Sequence, residues 1–220
     1  MAALRLRFKT LLFDVDGTLI DSNEAHAKAW TQALREHGVF AEVEQIRRMI
    51  GMGGDKILPA VACVGEDSEA GEAITRRKKE IFGSLLPGLQ PTRGARPLVE
   101  YLREQRVELI IATSADDREM SALLQRAGVS DLFPERTSKD DVSASKPDPD
   151  IVRAALAKSR ARPQDTLLIG DTPYDIEAAD RAGIGAMALR CGGYWPDSSL
   201  RGALKIFDDP QALFEYWTRS

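Results

Sequence analysis

Four short apolar segments, each followed by polar or glycine residues, constrain the fold of this chain more than any other feature. They cover residues 11–15, 107–112, 166–169 and 184–189. Continuous apolar runs of this length are typical of strands that are buried on both faces of a parallel sheet. Segments of helical length separate the later runs. Strands that alternate with helices form a doubly wound, Rossmann-like α/β sheet, which is the fold we predict.

One connection is too long for this alternation. Residues 16–106 separate the first two runs, whereas a crossover between parallel strands needs only a few loop residues and one helix. Helical periodicity fills the interval, with a first helix from residue 23 and others at 43–50, 57–64 and 69–82. We therefore predict an α/β core domain of residues 1–21 and 88–220 with an inserted, all-helical cap domain of residues 22–87.

The charge balance excludes some classes of protein. Lys and Arg number 30 against 34 Asp and Glu, and a net charge of −4 argues against a strongly basic nucleic-acid-binding protein. No apolar run approaches the roughly 20 residues that span a bilayer, and residues 1–9 lack the apolar stretch of a secretory signal. The sequence predicts a cytoplasmic protein with no nucleic-acid or membrane partner, and it leaves the oligomeric state open.

The two cysteines, Cys63 and Cys191, lie far apart in the chain and belong to no Cys-x-x-Cys pair. Their spacing argues against a disulfide framework or a zinc ribbon. With 43% hydrophobic residues the chain can build a core without such crosslinks, and both cysteines are predicted to be buried thiols.

Two acidic residues mark the end of the first apolar run. Asp14 and Asp16 are two positions apart and are followed by Gly17 and Thr18. Side chains at positions i and i+2 of a strand share a face, so both carboxylates should emerge together at the carboxyl end of the strand. Open α/β sheets bind their ligands at this edge. An isolated aspartate here is commonly a turn or capping residue, which is the alternative explanation.

The third apolar run is followed by the same kind of segment, Gly-Asp-Thr-Pro-Tyr-Asp at residues 170–175. Asp171 is predicted at the strand end, and Asp175 faces the same side if Pro173 begins a helix. Carboxylates that converge on one pocket raise one another's pKa values unless a cation neutralises them. Because the chain offers carboxylate oxygens and only two histidines, the sequence predicts a hard divalent ion, Mg²⁺, rather than zinc.

Two further segments supply positive charge and hydrogen-bond donors. Lys146 precedes prolines at 147 and 149, which stiffen the chain around it. Thr113 and Ser114 follow the second apolar run and offer hydroxyl and N–H groups to an oxyanion at the start of the next helix. Taken singly, the lysine would be an exposed residue and the hydroxyl pair a helix N-cap. Asp116 and Glu119 have the spacing of a capping box for that helix.

Together these segments have the order and spacing of the haloacid dehalogenase superfamily, which the sequence resembles along its whole length. The Asp-x-Asp-Gly-Thr motif of that family matches residues 14–18, and its second and third motifs match Thr113 and Lys146. Its fourth motif, Gly-Asp-x-x-x-Asp, matches residues 170–175. The resemblance implies Mg²⁺-dependent hydrolysis of a small phosphorylated metabolite, a phosphomonoester.

The resemblance also implies a role for each matching residue. Asp14 is the implied nucleophile, which forms an aspartyl-phosphate. Asp16 is the implied acid that protonates the leaving oxygen and then activates water. Thr113 and Lys146 are implied to hold the phosphoryl oxygens. The resemblance further implies that Gly17 and Ser114 bind the substrate. It implies that the metal is bound by Asp171, Asp175, the carboxylate of Asp14 and the backbone carbonyl of Asp16.

Single residues separate the branches of the superfamily. Asp16 argues against the dehalogenases and phosphonatases, which lack an acid two positions after the nucleophile. The cap inserted after the first motif resembles that of phosphoglycolate phosphatases and β-phosphoglucomutases. A sugar phosphomutase is the alternative, because His26 and Trp30 stand where the mutases carry His and Trp. The loop at 50–56 lacks the arginine with which the mutases bind a second phosphate, so the resemblance favours a phosphatase.

Gly53 and Gly54 lie in this loop, which has the spacing of neither a P-loop nor a dinucleotide fingerprint. The loop is either an ordinary helix–helix turn or a specificity loop whose glycines allow close backbone approach and left-handed backbone angles. In the second case Gly53, Gly54 and His26 contact the substrate. Substitutions in the loop should then alter substrate choice more than chemistry. A non-enzymatic phosphate-binding module is a third possibility on such a fold.

Overall fold

The computed structural model describes residues 8–219. Within this range the strands are β1 (Thr10–Phe13), β2 (Ile20–Asp21), β3 (Gln90–Pro91), β4 (Glu108–Ala112), β5 (Glu135–Thr137), β6 (Thr166–Gly170), β7 (Gly185–Leu189) and β8 (Lys205–Phe207). Six of them form a parallel sheet in the order β5-β4-β1-β6-β7-β8, while β2 pairs with β3 in a small antiparallel sheet. The predicted doubly wound α/β fold is confirmed.

Helices cover both faces of the parallel sheet. They are α1 (Asn23–Glu36), α2 (Val43–Arg47), α3 (Gly54–Ala62), α4 (Glu69–Leu85), α5 (Ala95–Glu104), α6 (Asp117–Arg126), α7 (Asp150–Lys158), α8 (Pro173–Arg181) and α9 (Pro210–Thr218). Alternate residues of β1 enter different cores: Leu11 and Phe13 pack with α5, α6 and α9, and Leu12 packs with α7 and α8. Burial of both faces explains why the strand sequences are continuously apolar.

The strand order brings three strand ends together. Strand β1 lies between β4 and β6, and Phe13 is in register with Ile111 on one side and Ile169 on the other. Along the chain, β1 is followed in the parallel sheet by β4, its neighbour on one edge, and later by β6, its neighbour on the other edge. The carboxyl edge of these strands is therefore a topological switch point, where α/β sheets bind ligands.

The segment that we call the helical insert, residues 22–87, contains α1 to α4. Its two ends are joined at the base by the β2–β3 pair, in which Ile20 is opposite Pro91. Helix α1 packs against α2 and α4, and the buried side chains of Trp30 and Ile74 belong to the same apolar cluster as Phe13 of the sheet. The division of the chain into a core and a cap domain stays a prediction.

Two strands were not predicted, and the predicted ends of two helices were wrong. Strands β5 and β8 were missed because they are three-residue sheet segments that include charged residues. Helix α3 begins at Gly54 and ends at Ala62, before the predicted end at residue 64. Helix α2 ends at Arg47 rather than at residue 50. Each helix within residues 8–219 is too short or too polar to be a candidate membrane span.

The prediction that both cysteines are buried was also wrong. Cys63 is exposed because it caps the carboxyl end of α3, where the backbone takes a left-handed conformation with φ of 55°. Cys191 is half-buried, and its Sγ donates a hydrogen bond of 3.1 Å to the carbonyl of Gly17. Neither forms a disulfide.

Candidate active site

The carboxyl edge of the sheet assembles the residues that the motifs predicted. Asp14 follows β1, and its N–H group donates 2.9 Å to the carbonyl of Ile169 in β6. Thr113 follows β4, and its N–H group donates 3.1 Å to the carbonyl of Thr137 in β5. Asp171 follows β6 directly. Sheet hydrogen bonds therefore fix the backbone from which these side chains extend.

Lys146 enters this edge from the loop that precedes α7. Its Nζ donates hydrogen bonds of 2.6 Å to Oδ1 of Asp14 and 2.7 Å to Oδ1 of Asp175. The side chain is only 1% exposed, so the lysine is not the exposed residue that its sequence context alone would suggest. Burial acts to lower the pKa of Lys146, but the two carboxylates outweigh burial and raise it, which keeps the ammonium group charged.

Three buried carboxylates form a cluster that fits a metal ion. Asp14, Asp171 and Asp175 each offer an oxygen, and these atoms lie within 4.8 Å of one another. Burial raises the pKa of Asp14 to about 7 despite Lys146, and the neighbouring carboxylates add to the rise. Burial also raises the pKa of Asp171, together with the charges of Asp14 and Asp175. One lysine cannot neutralise three acids, so the donor set is suited to a hard divalent cation.

Asp175 occupies the first turn of α8, which begins at Pro173 as the sequence predicted. Its Oδ2 accepts 3.1 Å from the Thr172 N–H, and its own N–H donates 3.3 Å to Oγ1 of Thr172, which forms a capping box. The Thr172 hydroxyl also lies 2.7 Å from Oδ2. Oδ1 of Asp175 accepts from Lys146. Gly170 leaves room for the side chain, since a Cβ there would lie 2.4 Å from Cγ of Asp175. Both oxygens of Asp175 are therefore held by protein groups.

Asp171 is surrounded by two hydrogen-bond donors and two glycines, which the sequence indicated only in part. Asn23, the first residue of α1, donates 2.8 Å from Nδ2 to Oδ2 of Asp171. Thr18 donates 3.3 Å to Oδ1. A Cβ at Gly17 would lie 2.2 Å from Oδ2 of Asp171, and one at Gly192 would lie 1.7 Å from it. Gly17 thus leaves space for the Asp171 carboxylate, and its predicted contact with the substrate stays a prediction.

The carboxylate of Asp16 is not one of the three clustered carboxylates, although Asp14 and Asp16 line the same cavity at the carboxyl edge of the sheet. Strand β1 ends at Phe13, so the alternation of a strand does not extend to Asp16. Oδ1 of Asp16 accepts from the hydroxyl of Ser22 and lies 2.7 Å from Nε2 of His26. Burial acts to raise the pKa of Asp16, but His26 and Ser22 outweigh it and lower the pKa. His26 therefore contacts an acid of the site.

Thr113 and Ser114 lie at this edge, but neither caps α6. The N-cap is Asp116, whose side chain accepts 2.8 Å from the N–H of Glu119. In a capping box the Glu119 carboxylate would also accept from the N–H of Asp116. In α6 this carboxylate instead accepts from Lys78 of the helical insert. Thr113 Oγ1 accepts 3.2 Å from the N–H of residue 115, and Ser114 Oγ donates to the insert at the carbonyl of residue 51.

The glycine loop contacts the core beside Lys146. The N–H of Gly53 donates 2.9 Å to Oγ of Ser145, and the side chain of Asp55 accepts from the same serine. The expected left-handed angles at Gly53 and Gly54 were wrong. Gly53 has φ of −85° and Gly54 begins α3, whereas Gly51 has φ of 105°. The Gly53 backbone lies close to the core, since a Cβ there would be 2.7 Å from Oγ of Ser145, and its approach to a substrate stays a prediction.

A cavity of about 70 Å³ lies between the helical insert and the carboxyl edge of the sheet. It connects Asp14 and Asp16 to residues that the motifs do not assign to the site, chiefly Lys78 and Glu119, which the sequence indicated only as a capping residue. A pattern in the sequence points to Lys78: it lies on the same stripe of α4 as Ile74 and Phe82, which makes it a lone charge on a buried face. The other lining residues are His26, Trp30, Ile50, Gly51, Met52, Gly53, Gly54, Thr113, Ser114 and Ala115.

Comparisons with known proteins agree with this geometry. Residues 11–189 match the family described as haloacid dehalogenase-like hydrolase. The validoxylamine A 7'-phosphate phosphatase of Streptomyces hygroscopicus is 31% identical over 188 residues, covering 83% of this chain and 85% of that protein. The phosphoglycolate phosphatase of Rhodospirillum rubrum is 27% identical over 217 residues, covering 94% and 90%. A crystal structure of a hydrolase from Pseudomonas syringae has a TM-score of 0.89 at 29% identity, covering 96% and 98%.

The chain belongs to the haloacid dehalogenase-like hydrolases, and it is a phosphatase of that superfamily. The resemblance on which the motifs were assigned is therefore confirmed. By their names, the relatives act on small phosphorylated compounds. The buried carboxylate cluster at the switch point of the sheet fits the divalent metal that such enzymes use.

Proposed function

We propose that the protein hydrolyses a small phosphomonoester with Mg²⁺ by way of an aspartyl-phosphate on Asp14. The observation that carries the proposal is the contact between the Lys146 ammonium and Oδ1 of Asp14 inside the carboxylate cluster. This contact leaves Oδ2 of Asp14 as the oxygen that we assign as the nucleophile. It attacks phosphorus and the bond to the leaving oxygen breaks. The Lys146 ammonium and a bound divalent ion would both favour the ionised carboxylate that this step needs.

Asp16 is proposed to act first as the general acid and then as the general base. An anionic phosphoryl group beside it favours the protonated carboxyl, because like charges repel and raise the pKa. Asp16 then gives its proton to the leaving oxygen. In the second half-reaction the Asp16 carboxylate takes a proton from water, whose oxygen attacks the aspartyl-phosphate and restores Asp14. Ser22 and His26 hold Asp16 in place through hydrogen bonds.

Mg²⁺ would be held by the carboxylates of Asp14 and Asp171 and by the backbone carbonyl of Asp16, with Asp175 supporting the arrangement. When bound, the ion neutralises the acids and the phosphoryl oxygens. The hydroxyl of Thr113, the neighbouring Ser114 and the ammonium of Lys146 are proposed to bind the same oxygens. Such positioning and charge neutralisation supply most of the catalysis in phosphoryl transfer.

The helical insert is proposed to act as the cap domain, residues 22–87. The cavity beneath it has room for only a few water molecules, so substrate entry requires the insert to move relative to the core. Gly53 and Gly54 are proposed to face the substrate, with His26, in the closed arrangement. The cytoplasm is the proposed location, as the sequence predicted.

A sugar phosphomutase is the second candidate, because His26 contacts Asp16 from the position at which the mutases carry histidine. The cavity lining between residues 8 and 219 contains no arginine that could bind a second phosphate, which favours hydrolysis. The test is to incubate the Mg²⁺-loaded protein with a panel of phosphorylated metabolites. Stoichiometric release of inorganic phosphate is expected, and isomerisation of a sugar phosphate without release would establish the mutase instead.

A further inference from the structure

The cavity contains an ion pair for which the proposed mechanism has no use. Nζ of Lys78, on α4 of the helical insert, donates hydrogen bonds of 2.9 and 3.2 Å to the two carboxylate oxygens of Glu119 on α6. The side chains are 7% and 12% exposed. A buried ion pair is seldom a net source of stability, because removing both charges from water costs about as much as their attraction returns. A buried pair that lines an active-site cavity is therefore a candidate for ligand binding.

Aromatic rings complete the surroundings of this pair. The Lys78 ammonium lies 4.9 Å from the ring centroid of Phe82 and 5.7 Å from that of Trp30. Trp30 itself lines the cavity beside Gly54. Its indole offers an apolar face to C–H groups of a ligand, while the ion pair next to it offers polar atoms. The charge of Lys78 helps to lower the pKa of Asp16, so the pair lies near the acid that is proposed to protonate the leaving oxygen.

The charge balance of the lining restricts what the leaving group can be. Apart from Asp14, Asp16 and the histidine bound to Asp16, the charged lining residues are Lys78 and Glu119, and these neutralise each other. A carboxylate or second phosphate on the leaving group would meet no free cation among the described lining residues. It would lie beside the Glu119 carboxylate, and an unpaired buried charge is costly.

A hydroxyl group suits the pair better than an anion does. Lys78 can only donate hydrogen bonds and the ionised Glu119 can only accept them. A hydroxyl does both at once, so it can accept from Lys78 and donate to Glu119. A carboxylate or phosphate group is an acceptor only and leaves Glu119 facing another anion. We propose that the substrate is the monophosphate of an uncharged polyhydroxy compound, a sugar or polyol, and that Lys78 and Glu119 bind its hydroxyl groups.

This inference rests on the proposed phosphatase function and names its substrate class. The first test compares kcat/KM for a hexose monophosphate, phosphoglycolate and the corresponding hexose bisphosphate, with an aryl phosphate as reference. The hexose monophosphate is expected to exceed the other two metabolites by at least about tenfold. If phosphoglycolate or the bisphosphate is preferred while the aryl phosphate is hydrolysed, the inference fails and the phosphatase stands. If none of the four releases phosphate, the proposed function fails instead.

The second test changes the charge of the pair. Glu119→Gln leaves the Lys78 ammonium free to bind an anion, so the preference for the hexose monophosphate over phosphoglycolate should fall by at least about tenfold. Lys78→Met removes the donor and leaves Glu119 unpaired, so kcat/KM for the hexose monophosphate should fall without any gain for phosphoglycolate. Thermal unfolding of each variant shows whether it is folded, and Glu119→Gln keeps the size and shape of the side chain.

Lys79→Met is the matched control. Lys79 is the next residue of α4 and also pairs with an N-terminal acid of α6, Asp116 at 2.6 Å, but it does not line the cavity. Its loss removes one bond between insert and core without changing the charge of the cavity, so the substrate preference should stay the same. An equal loss on every substrate in Glu119→Gln, matched by Lys79→Met, would mean that the pair only joins the two parts of the protein, and would overturn the inference.

Discussion

The side-chain amide of Asn23 donates a hydrogen bond of 2.8 Å to Oδ2 of Asp171, and so joins the first residue of α1 to the proposed metal site. Asn23 is only 8% exposed. Its Oδ1 is buried and has no hydrogen-bond partner within residues 8–219. A buried carbonyl oxygen without a hydrogen-bond partner costs free energy of folding. A hydrogen-bond donor that arrives together with the metal would remove this cost. The contact fixes the orientation of the carboxylate that would face Mg²⁺.

Asn23→Ala should weaken Mg²⁺ binding by about tenfold or more, because the loss of groups that orient metal ligands has effects of this size. Isothermal titration of the purified protein with Mg²⁺ measures the change directly, without reference to turnover. Glu24→Ala is the control: Glu24 lies in the same turn of α1 and is an exposed partner of Arg47, and among residues 8–219 it forms no hydrogen bond with Asp171. Equal Mg²⁺ affinities for Asn23→Ala and the unaltered protein would refute the orienting role.

Asp14→Asn should keep the fold and abolish turnover, because the amide is a poor nucleophile and loss of a nucleophile removes several orders of magnitude in rate. Phosphate release from an aryl phosphate measures the effect, and circular dichroism confirms the fold. Residual activity above about 1% of the unaltered protein would contradict covalent catalysis by this residue.

Stability of the metal-free protein should depend on pH through Asp14. Its folded-state pKa is raised to about 7 by burial, whereas the unfolded chain ionises near the ordinary value of about 4. Between these values the folded protein keeps a proton that the unfolded chain has lost, so the group destabilises the fold progressively as the pH rises through this window. The stabilisation by Asp14→Asn, measured as a difference in Tm, should therefore be larger at about pH 8 than at about pH 5. The same difference at both pH values would show that the pKa is not raised.

Removal of divalent metal should stop catalysis. Treatment with EDTA followed by dialysis should eliminate phosphate release, and Mg²⁺ should restore it better than Ca²⁺, which prefers a larger and less regular oxygen shell. Because burial raises the pKa values of Asp14 and Asp171, Mg²⁺ must displace protons. Its affinity should therefore fall as the pH drops below about 7, which titration at several pH values tests. Full activity after exhaustive chelation would count against the carboxylate–metal site.

Gly53→Val and Gly54→Val should have different consequences. A side chain at Gly53 meets Oγ of Ser145, the neighbour of Lys146, so kcat/KM should fall by at least about tenfold for both a small aryl phosphate and the best metabolite. A Cβ at Gly54 would lie 2.6 Å from Oε1 of Glu66, a flexible side chain outside the cavity lining, and 3.3 Å from Trp30 in the cavity, so this variant should affect the metabolite more than the aryl phosphate. Steady-state kinetics on the two substrates measures both ratios. If neither variant loses activity, the loop is an ordinary turn.

The alternation of short apolar runs was sufficient for the parallel sheet, because strands buried on both faces must be continuously apolar. It could not indicate β5 or β8, whose three residues have no periodicity to detect. Exposure of Cys63 was equally out of reach, since it depends on the left-handed turn that ends α3. These failures concern the ends of elements, where hydrogen bonds to neighbouring chain segments decide the outcome.

The positions of Asp14, Thr113 and Asp171 were predictable because parallel strands place their carboxyl ends at one edge. Lys146 lies on a loop, and only the family resemblance indicated its place in the site. The directions of the side chains were not predictable from the sequence. Asp16 turns towards Ser22 and His26 because β1 has already ended at Phe13, and local spacing does not contain that information.

The sequence by itself determined the sheet, the helical insert and the motif residues, because periodicity and strand-end chemistry are local properties of the chain. Only the tertiary structure decided which groups meet across the boundary of the insert. Asn23 reaches Asp171 over 148 positions, and Lys78 reaches Glu119 over 41. Such contacts depend on the packing of α1 and α4 over the carboxyl edge of the sheet. Burial there then sets the charge of each group, which no short stretch of sequence can specify.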